Sequence, residues 1–259
     1  ADVDILWIGA RSTVNPFTVQ EIAVALKGTN KPVLVKNPVN PDLALWIGAL
    51  ERLLGQDVKN LGVIHRGFSS YQKTKYRNLP NWQIALDFKH QYPNIPMFVD
   101  PSHICGRRDL LSDVTQEAFN VGYEGAMIES HCNPDAAWSD AAQQITPEVL
   151  AEMLGNLQIR NSDISGFDEE MGKHRALISD IDFQLIELLS NRMKISEKIG
   201  ALKKENNIAI FQPDRWKVIA EYASARAEES GMGKDFIEKV FKAIHEESIE
   251  VQNNIMIDK

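Results

Sequence analysis

Cysteine is scarce: only Cys105 and Cys132 occur among 259 residues. Two cysteines exclude a disulfide-stapled scaffold and fit a reducing, cytoplasmic compartment. No apolar run approaches the roughly 18–20 residues that cross a bilayer, so a membrane span is not expected. The opening Ala1-Asp2-Val3-Asp4 is neither a Met start nor a basic leader. Positive charge is in deficit, with 28 Lys and Arg against 36 Asp and Glu and a net charge of −8. A general nucleic-acid surface is not expected on that background, although local basic pockets remain open. Glycine (15) and proline (11) form no tract, which argues against low-complexity and collagen-like classes. What is present is an ordinary globular composition, 44% apolar and 25% charged, over a length that suits one or two domains.

The two halves follow different periods. In the first, short apolar runs at Ile5–Ile8, Pro32–Val35, Leu61–Ile64, Pro96–Val99 and Gly125–Ile128 read as buried strands. Amphipathic stretches between them, at Pro16–Leu26, Pro41–Leu54, Trp82–Gln91 and Val114–Val121, read as helices. Alternating strands and helices imply a parallel α/β sheet. Five units of roughly 31 residues make about five-eighths of a closed eight-unit barrel, or else a small open sheet complete as it stands. The expected division is residues 1–155 for this part, a polar linker over 156–165, and an all-α domain over 166–259.

In the second half Met171, His174, Ile178, Ile181, Leu185, Leu188, Arg192, Ile195, Ile199 and Leu202 recur at spacings of three and four. They form a heptad-like seam on one helix of nearly 40 residues, about 55–60 Å long, which calls for a partner chain. Helices near Pro213–Ser230 and Lys234–Ile255 come next. Arg192 interrupts the seam, and Lys203, 11 residues on, points within about 20° of it. Arg175 points some 100° away and could reach the same place only from a partner. Ser248 interrupts the seam of the last helix, with Gln252 one turn on. Such residues can fix the register of a coiled-coil dimer. Alternatively they line a buried cationic pocket for a small dianion, since guanidinium binds carboxylate bidentately.

The helical half resembles the all-helical class of chorismate mutase. The resemblance rests on Arg175, Arg192 and Lys203 at the first-helix spacing, Arg215 opening the second helix, and Ser248 and Gln252 on the third. It implies rearrangement of chorismate to prephenate without cofactor, nucleophile or proton transfer. It further implies that Arg192 and a partner's Arg175 bind carboxylates, and that Lys203 and Gln252 bond the breaking ether oxygen. Two positions depart: Trp216 stands where members often carry a Glu that holds the substrate hydroxyl, and Gln212 where an acid is common.

In the first half, polar residues come just after the strands: Arg11, Lys36, His65-Arg66, Asp100 to His103, Glu129 and His131. On one rim, Arg11, Lys36 and Arg66 would suit phosphate and carboxylate, and His103, Glu129 and Asp140 a divalent metal such as Mn, Fe or Zn. Asp100-Pro101-Ser102-His103, Gly106-Arg107-Arg108, Glu129-Ser130-His131 and Trp138-Ser139-Asp140 resemble the later motifs of 3-deoxy-D-arabino-heptulosonate 7-phosphate (DAHP) synthase, type I-beta. The resemblance implies a metal on His103, Glu129 and Asp140, phosphoenolpyruvate on Arg11, Lys36 and Arg66, and condensation with erythrose 4-phosphate. The family's earlier Gly-Pro-Cys and Lys-Pro-Arg-Thr motifs do not occur, so strands four to eight of a (β/α)8 TIM barrel are expected, with no synthase activity from these 259 residues alone.

The expectation is thus a bifunctional enzyme of aromatic amino-acid biosynthesis, homodimeric through its helical domain. Its alternatives are a mutase-like domain acting as a prephenate or chorismate sensor that regulates the synthase allosterically, and a pure dimerisation module.

Overall fold

Five short strands set the frame of the first half. The computed structural model describes residues 3–71, 73–160 and 167–257. The chain divides into two compact units, residues 1–163 and 164–259. The expected boundary at 165/166 lies outside the described residues.

In the first unit the order is β1 (Leu6–Ile8), α1 (Ala10–Thr13), α2 (Pro16–Leu26), β2 (Val33–Lys36), α3 (Leu43–Gly55), β3 (Leu61–His65) and α4 (Trp82–Gln91). Then come β4 (Met97–Val99), α5 (Pro101–Cys105), α6 (Leu111–Asn120), β5 (Gly125–Ala126) and α7 (Pro147–Asn156). The strands are parallel and lie in chain order, β1-β2-β3-β4-β5. The fifth is shorter than its apolar run, although Met127 N–H still bonds Val99 O at 2.8 Å. Helix starts obey local chemistry. Asn15, Asp42, Asp100 and Thr146 accept backbone N–H bonds as N-caps, and prolines occupy the first turn of α2, α5 and α7.

The pleat sorts the strand residues. Val33, Val35, Val63, Met97 and Val99 are fully buried in the core with Trp46, Leu53 and Phe88 from the helices. Leu34, Gly62 and Phe98 line an apolar hollow of about 320 Å³ on the sheet. Past the end of α7, Gln158 and Arg160 bond back to Gln116 and Asn120 of α6, so the start of the expected linker packs on the first unit.

The second unit has α8 (Asp168–Glu205), α9 (Pro213–Glu229) and α10 (Lys234–Ile257). At 38 residues α8 is about 57 Å long. It packs on α10, which also packs on α9. Gly200 lets α8 approach closely, since a Cβ there would meet Gln252 Cα at 3.2 Å. Among the described residues the buried apolar cluster of this unit is small: Ala223, Ala227 and Ile237, with Phe241 against them. The α8 seam is largely in water, with Leu188 65% and Ile195 58% exposed. Among the described residues, no helix is long and apolar enough to cross a membrane.

His65 ends β3 but belongs to the core. Its Nε2–H donates to Pro80 O at 2.6 Å, and its Nδ1 accepts from Tyr123 O–H at 2.9 Å. Complete burial pulls its pKa down from 6.5 to about 4, outweighing the Pro80 bond and the Asp100 charge. Between those values the unfolded chain is protonated and the folded one is not, so stability is full above pH 6.5 and falls as pH drops toward 4. The expected loss is about 3 kcal/mol, measured by urea denaturation at pH 7 and pH 4. His65→Gln should flatten this slope.

Candidate functional site

Parallel strands in register bring their C-terminal ends to one rim, where Lys36 pairs with Ile64 and His65 with Val99. Alternate strands then face each other. Lys36, last in β2, meets Asp100, first after β4, with Nζ 2.6 Å from Oδ2. Both side chains are nearly closed to solvent. Asp100 also caps α5 and accepts from His103 Nδ1 at 2.9 Å. Burial pushes its carboxyl up, but the His103 hydrogen bond and the Lys36 charge outweigh this and hold it below the usual range. With Nδ1 engaged, His103 keeps Nε2 free as a ligand.

Arg66 is also buried. Its N–H donates to Asn37 Oδ1 at 2.7 Å, and its Nη1 to Asn78 Oδ1 at 2.8 Å. Gly67 has a φ of 77°, and a Cβ there would meet Asn78 O at 2.9 Å, so the turn after Arg66 requires glycine. Burial, with the charges of Arg77 and Arg11, outweighs the Asp100 charge and leaves the Arg66 pKa below its ordinary value. Arg11 is exposed on α1.

His103, Glu129 and Asp140 converge, with one ligand atom from each lying within 4.8 Å of the others. One nitrogen and two carboxylate donors fit a divalent transition metal. A supporting chain holds them: Gln143 donates to Glu129 at 2.9 Å, Arg77 Nη1 donates to Gln143 Oε1 at 2.8 Å, and the same Nη1 reaches Asp140 Oδ1 at 2.8 Å. Gln143 is buried, and Gly106 (φ 65°) lies so close to the Arg77 stem that a Cβ would sit 2.6 Å from its Cβ. Neither cysteine joins this cluster: Cys105 is buried, its thiol pushed up to about 12 mainly by burial, and Cys132 is exposed.

Sequence reasoning located the rim residues but missed Asn37, Arg77, Asn78 and Gln143. Arg77 and Asn78 come from the loop between β3 and α4, which has no periodicity to reveal where its side chains land.

The helical unit has its own site. Arg192, Lys203, Arg215, Ser248 and Gln252 all line one cavity of about 530 Å³. Arg192 donates to Ser248 Oγ, and Lys203 Nζ donates to Gln252 Oε1 at 3.0 Å and to Ile210 O at 2.6 Å. Gln252 Nε2 donates to Ser248 O at 3.0 Å. Burial lowers the pKa of Arg192, helped by Arg215, and that of Lys203. Arg175 is exposed on α8, seventeen residues or about 25 Å before Arg192, and does not line this cavity. The cavity thus presents three cations and no carboxylate. His245 lines it too, a residue the sequence did not single out.

Comparisons with known proteins agree with both halves. Residues 1–164 match the DAHP synthetase I family, and residues 174–253 match chorismate mutase type II. A "Phospho-2-dehydro-3-deoxyheptonate aldolase" of Thermotoga maritima is 29% identical over 155 residues, 60% of this chain and 44% of that protein. A "T-protein" of Haemophilus influenzae is 28% identical over 87 residues, 34% of this chain and 23% of that one. A solved truncated form of 3-deoxy-D-arabino-heptulosonate 7-phosphate synthase from Thermotoga maritima superposes with a TM-score of 0.53 at 28% identity, covering 59% of this chain and 56% of that one. The chain spans less than half the length of the two curated relatives named here. The five parallel strands are accordingly part of a synthase-type barrel, and the chain belongs to the DAHP synthetase I family, joined to a chorismate mutase type II domain.

Proposed function

We propose that the helical domain, residues 166–259, rearranges chorismate to prephenate. The observation that carries this is the convergence of Arg192, Lys203, Arg215, Ser248 and Gln252 on one cavity free of carboxylates. The reaction is unimolecular, so the protein has to hold the reactive conformer and stabilise charge growing on the ether oxygen. In the free site Lys203 Nζ donates to Gln252 Oε1 and Gln252 Nε2 donates to Ser248 O, and an ether oxygen between them would take over both donors. Arg192 and Arg215 would bind the carboxylates, with Arg175 supplied by a second chain. The exposed α8 seam supports a homodimer through this domain. Register-fixing alone does not call for this convergence.

In the synthase-type part, residues 1–155, Arg11, Lys36 and Arg66 would hold phosphoenolpyruvate. His103, Glu129 and Asp140 would hold Mn, Fe or Zn, which when bound polarises the aldehyde of erythrose 4-phosphate. Asp100, Gln143 and Arg77 fix the ligands' directions. Cytoplasmic placement is supported by two unpaired cysteines, and small anions rather than nucleic acid as partners by the charge of −8. A regulatory reading, in which the cavity mainly senses prephenate, draws on Trp216 and the missing carboxylate.

Loss of chorismate absorbance is the test. Wild-type chain should turn chorismate over, and Lys203→Ala should lower turnover by roughly 10²–10³, the range for one preorganised donor. Near-normal turnover in that variant refutes the assignment, while prephenate binding without turnover selects the sensor. Mixing Arg175→Ala and Lys203→Ala chains in equal amounts should restore roughly one quarter of wild-type activity, because each mixed dimer holds one intact site. No recovery would show that Arg175 is not supplied across the interface.

A further inference from the structure

The cavity wall of the helical unit holds one polar atom that nothing satisfies. Nε2 of His245 is closed to solvent and has no hydrogen-bond partner, the one such side-chain atom found among the described residues. Its polar neighbours on α10 are engaged: Ser248 with Arg192 and Ile244 O, Gln252 with Lys203 and Ser248 O. Leaving a buried donor or acceptor unmet is costly, so such a group in a ligand cavity is expected to have a use.

The ring is held from behind. Trp216, at the start of α9, stacks on it with ring centroids 4.6 Å apart and planes 23° from parallel. Trp216 does not line the large cavity but faces a second one of about 220 Å³, with Ala220, Ala223 and Phe241. The indole therefore backs the imidazole, which forms the wall. A half-turn of the imidazole about Cβ–Cγ exchanges Nε2 with Cε1 in the same plane, so the nitrogen can change direction without breaking the stack. Burial, then the Arg192 charge, against Glu246 and with Lys203, lowers the pKa of His245, which favours the neutral ring. A neutral imidazole can both donate to and accept from a hydroxyl.

We propose that His245 contacts the ligand in this cavity, its imidazole hydrogen-bonding the hydroxyl of a cyclic dianion whose carboxylates lie on the arginines, with Trp216 as its positioning residue. The inference rests on the mutase reading and names a specificity determinant within it.

The test compares chorismate with an analogue lacking the ring hydroxyl, by titration of the full chain and by competition in the absorbance assay. His245→Phe keeps the stack and removes both nitrogens. It should weaken chorismate binding about tenfold and change binding of the deoxy analogue less than about twofold. His245→Gln, which returns a donor near the Nε2 position, should recover most of the loss. Trp216→Leu should lose affinity with the same bias toward the hydroxylated ligand. Equal losses on both ligands would show a structural role, and no loss on either would show no contact; both overturn the proposal. Failure of the wild-type chain to bind either ligand would instead overturn the mutase reading.

Discussion

A cation taken out of bulk water has to be met by oxygen, and both units are organised around that requirement. In the first, Lys36 leaves water only because Asp100 reaches it from the next strand but one, and Asp100 then holds His103 as well. Arg66 is met by Asn78, whose amide also donates to His103 O at 2.6 Å. In the second, Arg192 and Lys203 are met by Ser248, Gln252 and carbonyls at the ends of their reach. These oxygens are weaker partners than a carboxylate. The cations stay directed, and an anionic ligand improves on what they have.

The two sites solve the problem with different rigidity. On the rim, side chains are tied laterally, so that Glu129, Gln143, Arg77 and Asp140 form one chain of bonds. A change at Gln143 would be felt at both carboxylates although it touches no substrate. In the helical cavity Arg192 and Lys203 each donate to one side chain and one backbone carbonyl, and a ligand that enters can take the side chain's place.

Much of this was legible in the residues. Runs such as Pro32–Val35 sit at barrel-like spacing, and a parallel sheet places the polar residue after each run on one rim. Helical rotation alone put Arg192 and Lys203 in one direction, and both line the same cavity. The illegible part is tertiary. Arg77 lies 63 residues from Asp140, in a loop whose course is set by contacts such as Phe68 with Leu79. His245 reads as one polar residue on an amphipathic helix until Trp216 is seen to stack on it. The run at Gly125–Ile128 promised four strand residues and gives two, because pairing with β4 ends at Ala126 and the chain then turns toward Glu129.

The small core of the helical unit has a thermodynamic consequence. Among the described residues, three buried apolar side chains cannot offset the conformational entropy of ordering some 80 helical residues. Under the proposed pairing, the missing burial comes from the α8 seam of a second chain, and folding of this unit becomes a second-order process. Its apparent stability would then depend on protein concentration, each tenfold dilution of chains removing about 1.4 kcal/mol per dimer.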